Sequence, residues 1–528
     1  MTTGAGHEKA RQELQGQLHA MKDQAQRNKL GQFSTPIELA GEVIKSSLAW
    51  LPKRESVRFL EPGFGTGPFY SALLQSVPAS RIERAAGYEI DSQYIEPNVR
   101  LWGDTGLRLH LGDFTQVEPP ADEAHKYNLI VCNPPYVRHH HLSSRQKQQL
   151  QAAVSQRLGF EMNGLSGLYT YFMVLSQAWM TKGGVGAWLV PSEFMDVNYG
   201  RRVKEFLLSR VTLHRIHRFD PHEVQFDDAL VSSAVVFFTN AMPPEEHHVE
   251  FSFGGTLGKP KMSTYIGLDR LGRVSKWTHL PRRMPESVQE ACPGVLADLF
   301  SIKRGVATGC NSFFVLTPDQ RQRHNLPSKF LQSILPSPRD LECTEILADD
   351  NGEPLISKRR YLLSCDLSEE SIRREWPALW EYLERGKAEG VHQRYLCRHR
   401  EPWYCQETRP PAAFLCTYMG RPTTKSETPF RFILNHSQAT AANVYLMLYP
   451  KPQLAALLQE APELALAVWK ALSSVTAEHL IGCGRTYGGG LHKLEPRELA
   501  GISTDAILRV LPDEIRRKPH RQLPLFSP

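Results

Sequence analysis

The stretch FLEPGFGTGPFY, residues 59–70, decides the fold. It reads as an apolar strand, a loop in which Gly63, Gly65 and Gly67 alternate, and the start of a helix at Pro68. Glycine lets the backbone turn tightly and lets a ligand approach closely. The spacing is G-x-G-x-G, not the G-x-G-x-x-G of dinucleotide folds. No Lys-Ser or Lys-Thr follows, which excludes a phosphate-gripping P-loop. Alone, such a loop is a plain turn as readily as a ligand cradle, so its surroundings must decide.

Those surroundings are rhythmic. Short apolar runs recur at 57–61, 85–90, 107–113, 127–133, 185–191, 213–219 and 232–238, with helical stretches such as PFYSALLQSV and GLYTYFMVLSQAWM between them. This alternation predicts an α/β domain with a mainly parallel sheet. The last two runs lack a long helix between them, which predicts an antiparallel pair at one edge.

Carboxylates stand where these strands end. Glu61 precedes the glycine loop, Glu89 ends the second run, and Asp113 ends the third with Phe114 beside it. In open α/β sheets a ligand sits at the carboxyl ends of the strands, and an acid after the second strand is placed to hold a ribose. Asp113 can accept from an adenine amino group while Phe114 stacks on the ring. Helix capping would suit Glu89 and Asp113 equally well.

The fourth run ends in Asn133, Pro134, Pro135 and Tyr136. Two prolines stop a strand and stiffen a turn. A planar exocyclic amine delocalises its lone pair and is a poor nucleophile. Two acceptors aimed at its hydrogens, the Asn133 side-chain oxygen and the Pro134 carbonyl, would localise that lone pair. Tyr136 can stack on the base that carries the amine. An activated methyl donor then needs mainly position and electrostatics from the protein.

These residues resemble the gamma-type, Taq-like N6-adenine DNA methyltransferases of type II restriction-modification systems. GQFSTP (31–36), FLEPGFGTG, YEID (88–91), GDF (112–114), NPPY, GLYTYF (167–172) and EVQFDDALVSSAVVFF (223–238) follow that family's order. The resemblance implies a Rossmann-like domain that binds S-adenosylmethionine through Thr35, Glu61, Gly63, Gly65, Gly67, Glu89, Asp113, Phe114 and Phe172. It implies catalysis by Asn133, Pro134 and Tyr136. Pro135 and Phe226 would border the flipped base, and Arg138 would meet a nearby phosphate. RGVATGCNSFFVL (304–316) and RTYGGGLHKLEPREL (485–499) resemble the framing motifs of the family's mixed α+β target-recognition half. The expected organisation is a polar helix over 1–30, the methyltransferase domain over 31–240, a connector over 241–290 and the recognition domain over 291–528.

The partner implied is double-stranded DNA, whose target base must leave the stack. Residues 391–435 hold seven Arg or Lys against three Glu, interleaved with aromatics. Arg398, Arg400, Trp403 and Arg421 are the groove-contact candidates there. A cognate restriction endonuclease is implied as a partner, and a monomer suffices because one strand is methylated at a time.

Bulk properties agree with this reading. The net charge of +6 permits a nucleic-acid partner without demanding one. No apolar run approaches the roughly 20 residues of a membrane span, and the polar N-terminus lacks a signal core, so the expected location is cytoplasmic. Nine scattered cysteines form no C-x-x-C pair, which argues against a metal site. His139, His140 and His141 read as a surface loop. Rival readings keep the NPPY chemistry for RNA, cytosine N4 or a protein glutamine, or make the chain a catalytically silent DNA-binding component. The glycine spacing weakens a dinucleotide oxidoreductase.

Overall fold

Each of the seven apolar runs forms a strand in the computed structural model, which describes residues 4–22, 31–220, 232–274, 276–281, 294–422, 428–487 and 490–512. The chain splits into two compact units near residue 285.

The first unit is built on one nine-stranded sheet. Its strands are β1 (Val57–Pro62), β2 (Ile82–Glu89), β3 (Leu107–Leu111), β4 (Tyr127–Cys132), β5 (Met180–Pro191), β6 (Thr212–Arg218), β7 (Ser233–Thr239), β8 (His248–Gly255) and β9 (Pro260–Gly267). The order is β3-β2-β1-β4-β5-β7-β6-β8-β9. The first five strands are parallel neighbours. β7 runs antiparallel to both β5 and β6.

The antiparallel pair therefore exists but is not an edge. β8 pairs parallel with β6, and β9 antiparallel with β8. Residues 241–290, expected as a connector, supply these two strands. Alternation marks them: Val249 and Phe251 of β8 are buried, and a period of two is what a strand requires. Gly254, Gly255, Gly258 and Lys259 cluster at the β8–β9 turn, where Gly255 has a φ of 65°.

Helices of this unit include α1 (Gly4–Ala20), α2 (Ile37–Leu48), α3 (Pro68–Ser76), α4 (Ser92–Trp102), α5 (Ser144–Leu158), α6 (Leu168–Leu175) and α7 (Gly200–Ser209). Parallel strands are buried on both faces, so consecutive residues feed two different cores. Phe59, Leu129, Ala187 and Phe237 pack with Val43 and Ile44 of α2 and Leu73 of α3. Their chain neighbours Leu60, Ile130, Trp188 and Val236 pack with Val154, Met173 and Phe206 of α5, α6 and α7. This continuous burial explains why the runs are apolar throughout rather than alternating.

The second unit has a five-stranded sheet of β10 (Phe300–Arg304), β11 (Glu345–Ile346), β12 (Phe414–Thr417), β13 (Phe432–Asn435) and β14 (Tyr445–Pro450), ordered β10-β14-β12-β13-β11. It is antiparallel except where β11 meets β13. Short helices pack against it, among them Leu464–Ser473, whose Val468 and Leu472 join Phe414, Phe432 and Leu448 in one core. No helix among the described residues is long and apolar enough to cross a membrane.

Candidate active site

The strand ends bring several of the predicted residues to one cavity. Glu61 and Glu89 close β1 and β2, and Asn133 follows β4 directly. A cavity of about 570 Å³ opens above them. Glu61, Gly63, Gly65 and Glu89 line it from the first two strand ends; Asp113 and Phe114 line it from the third. Thr35, Asn133, Pro135 and Phe172 complete the predicted set on its wall.

The glycine loop is shaped by backbone need. Gly65 has a φ of 56°, and an added Cβ there would meet no protein atom within 4 Å. Gly112, also on the wall, is equally open. The cavity thus reaches bare backbone at two points. Gly67 lies off the cavity and carries the loop into α3, packed beneath the Phe64 ring.

The carboxylates are held by main-chain donors. Glu61 is 1% exposed and accepts from the Tyr70 N–H at 3.0 Å. Its carboxylate lies at the start of α3, where free N–H groups favour negative charge. Burial nevertheless pushes its proton affinity well above the usual range, with the Tyr70 and Phe69 N–H bonds and the Arg11 charge offsetting part of that. Glu89 accepts from the Asp91 N–H at 2.9 Å and the Gly65 N–H at 2.8 Å. Burial again raises it, against those two bonds. Glu89 therefore both braces the loop and faces the cavity.

Asp113 Oδ1 accepts from the Thr115 N–H at 2.9 Å and the Thr115 hydroxyl at 2.7 Å. Thr115 fixes the carboxylate and leaves Oδ2 for a ligand. The Phe114 and Phe172 rings lie 5.5 Å apart at 39°, a direct aromatic contact. They form one wall together and leave no slot for a base between them.

Asn133 is the centre of the site. Its Nδ2 donates to the Phe33 carbonyl at 3.0 Å and to the Thr35 hydroxyl at 3.1 Å. A carbonyl can only accept, so the amide orientation is fixed. That leaves Asn133 Oδ1 buried, with no partner among the described residues. A buried acceptor without a donor costs about 1–3 kcal/mol and calls for an explanation. Cys132, next in the chain, is inert as a nucleophile: burial, and then the Glu61 and Glu89 charges, push its thiol well up.

The turn around Asn133 is clamped from outside. The Tyr136 N–H donates to the Gly31 carbonyl at 3.3 Å. A side chain at Gly31 would collide with the Tyr136 backbone nitrogen, and its φ is 68°. The Tyr136 ring packs on Phe33 at 5.4 Å, and its hydroxyl donates to the Leu189 carbonyl at 3.2 Å. Pro134 and Tyr136 are not on the cavity wall, and Arg138 is exposed beyond it. Phe226 lies outside the described residues.

Sequence reasoning missed several wall residues. Gln15 and His19 come from α1, Ile90 follows Glu89, and His141 and Gln146 come from the segment after NPPY. Only Ile90 carried a signal, as an apolar residue at a strand end; it is 65% exposed. His139–His141 form a single short turn, with His141 on the wall. No group of three or more His, Cys, Asp or Glu among the described residues is placed to hold a metal.

In the second unit the candidate groove residues divide. Arg398 is exposed, its guanidinium 5.4 Å from the Tyr395 ring, and Arg421 is also exposed. Arg400 instead donates to the Thr308 carbonyl at 3.0 Å, the Gln406 side chain at 2.9 Å and the Ala307 carbonyl. Trp403 packs on Phe313 at 5.9 Å against the core of that region. Both are half-buried and hold internal contacts, so charge and aromaticity alone do not distinguish a surface contact from an internal brace.

Comparison with known proteins follows this division. A family model described as Eco57I restriction-modification methylase matches residues 90–225, and one described as the C-terminal domain of type II methyltransferase M.Eco57I matches 284–518. Type II methyltransferase M.XamI of Xanthomonas campestris pv. amaranthicola is 27% identical over 461 residues, covering 87% of this chain and 82% of that protein. Type II methyltransferase M.AccI of Acinetobacter calcoaceticus is 25% identical over 491 residues, covering 90% and 85%. The type IIL restriction-modification enzyme MmeI, solved in complex with DNA, shares the fold with a TM-score of 0.51 at 14% identity, over 91% of this chain and 71% of that one. With both halves matched in order, the chain is similar along most of its length to the type II methyltransferases of restriction-modification systems, and its methyl donor is S-adenosylmethionine.

Proposed function

We propose that the chain methylates N6 of an adenine swung out of double-stranded DNA at one short recognition sequence. The observation that carries this reading is the buried Asn133 Oδ1, an acceptor without a donor. A planar amine entering above the NPPY turn supplies the missing hydrogen. Asn133 Oδ1 takes one amine hydrogen and the Pro134 carbonyl takes the other, so the nitrogen lone pair turns out of conjugation. Both acceptors are fixed before the amine arrives, Asn133 by Phe33 and Thr35 and the turn by Gly31. Fixed dipoles need no reorganisation when charge develops on the amine.

The cavity fits the methyl donor. Bare backbone at Gly65 and Gly112, a buried acid at Glu89, Asp113 Oδ2 and the Phe114–Phe172 wall match the donor set of a nucleoside. When bound, S-adenosylmethionine supplies a methyl group already activated on a sulfonium, so no metal and no strong base is needed from the chain. Thr35, Glu61 and Gly63 would border its reactive side. Gly67 keeps its role in turning the loop into α3.

Tyr136, with Phe226, holds the flipped base, Pro135 borders it, and Arg138, exposed beyond the turn, meets a phosphate. Extraction of the base costs a few kcal/mol, and flat side chains recover it. Arg398 and Arg421 hold the duplex. The chain acts as a monomer and protects host DNA from a restriction endonuclease encoded nearby.

The test is single-molecule sequencing of plasmid DNA from cells expressing this chain, beside an Asn133→Ala control. N6-methyladenine at one short motif, present only with the intact protein, is expected. Modified cytosine, or no modified base while the purified chain binds S-adenosylmethionine, would overturn the adenine assignment.

A further inference from the structure

Helix α1 lies outside the residues that either family model matches, and its sequence reads as a polar, partly solvated helix. The structure buries it in part. His7, Glu8, Arg11 and Leu18 are all less than 10% exposed. Arg11 grips Glu8 through two donors, at 2.8 and 2.7 Å. A third Arg11 donor reaches the Thr66 hydroxyl at 3.0 Å, inside the glycine loop. The Ser71 hydroxyl of α3 donates to Glu8 at 2.6 Å. Burial would raise the Glu8 carboxyl, but the Arg11 and Ser71 bonds outweigh it and hold the group below its usual range.

Taking an ion pair out of water is costly and contributes little net stability. What such a pair does well is fix one register. Here it sets α1 across the glycine loop, and further contacts tie the helix to the other side. His7 stacks on Trp102 of α4 at 5.6 Å, and Lys22 pairs with Asp91, the residue that caps α4.

That register places two polar side chains on the cavity wall. Gln15 accepts from the Thr66 hydroxyl at 2.6 Å. His19 Nε2 lies 2.8 Å from the Ser34 hydroxyl, next to Thr35. The cavity has an aromatic wall at Phe114 and Phe172 and an acceptor at Asn133. Gln15, His19, Ser34 and Thr66 form one polar corner of the cavity wall, where the Gln15 amide nitrogen also meets His19 Nε2. A zwitterion needs such a corner, with donors for a carboxylate and acceptors for an ammonium group.

We propose that α1 completes the cofactor pocket, with Gln15 and His19 holding the amino-acid end of S-adenosylmethionine. The inference rests on the reading of this cavity as the cofactor pocket. Its ligand chemistry separates cleanly from the adenosine end, because 5′-methylthioadenosine carries the nucleoside and the sulfur without the amino acid.

Affinities of the full-length chain for S-adenosylmethionine and for 5′-methylthioadenosine, measured by calorimetry, test it. Gln15→Ala and His19→Ala should each weaken S-adenosylmethionine by about tenfold, the scale of one hydrogen bond to a charged group. Both should leave 5′-methylthioadenosine within about twofold on the same scale. His19→Gln keeps a donor and should retain most of the affinity, and it carries the comparison if His19→Ala unfolds. Equal loss for both ligands, or loss for neither, overturns the proposal. Asp113→Ala and Phe172→Ala serve as separate controls. If they weaken neither ligand, the cavity is not the cofactor pocket, and the failure lies in that reading instead.

Discussion

The Asn133 amide nitrogen donates to the Thr35 hydroxyl at 3.1 Å, across 98 residues of chain. With the Phe33 carbonyl it turns the opposite amide oxygen into a buried, unsatisfied acceptor. Asn133→Ala removes that acceptor and is expected to lower methyl transfer by about 10²–10³-fold. Cofactor affinity should change little. Asn133→Asp should do worse: one carboxylate oxygen would face the Phe33 carbonyl with no donor, at a cost of about 1–3 kcal/mol of stability. Single-turnover rates, cofactor binding and thermal melts on both variants check this pair.

Tyr136 separates ring from hydroxyl. Its hydroxyl donates to the Leu189 carbonyl, so Tyr136→Phe should lose only about 1 kcal/mol of stability and keep base capture. Tyr136→Ala removes the ring. A 2-aminopurine at the target position should then show much weaker fluorescence gain on binding. Unchanged flipping in the Ala variant would remove Tyr136 from the role.

Arg398 and Arg400 are two residues apart and should behave oppositely. Arg398→Ala should reduce the salt slope of DNA binding by about one unit without moving the melting temperature, and Arg421→Ala should reduce that slope by about as much. Arg400→Ala strips the donors from the Ala307 and Thr308 carbonyls and should lower the melting temperature, leaving the salt slope unchanged. Titrations at several salt concentrations beside melts distinguish them.

Acid sensitivity should arise in the sheet. His217 is fully buried, its Nδ1 2.9 Å from the Ser252 hydroxyl. Burial, and then the Arg215 charge, lower its proton affinity to about 3. The folded state therefore binds a proton less readily than the unfolded chain. Stability from neutral His217 is fully present above about pH 6.5 and is lost as pH falls toward 3, at about 1.4 kcal/mol per pH unit. His214, lowered to about 4 by burial and His247, adds to the same window. Unfolding free energies of the chain and of His217→Gln between pH 7 and pH 5 should converge as pH falls.

The sequence by itself determined the sheet and the placement of the acids and the amide at its strand ends. Both follow from local constraints: apolar runs bounded by turns, glycines where φ is positive, and carboxylates within two residues of a strand terminus. Glu61, Glu89, Asp113 and Asn133 were legible because strand ends in a parallel sheet converge whatever the loops do. Tertiary structure alone decided the rest. β8 and β9 pair with each other across a local turn, but their place in the sheet depends on β6, where Arg215 lies 35 residues before its partner Glu250. Arg400 and Trp403 have the composition of a groove contact, yet their partners at Ala307, Thr308 and Phe313 lie about ninety residues earlier in the chain. Helix α1 reads as polar because its buried groups are charged. Only the meeting of Glu8 with Arg11 and Ser71, and of Arg11 with Thr66, makes that burial possible, and with it the presence of Gln15 and His19 at the pocket.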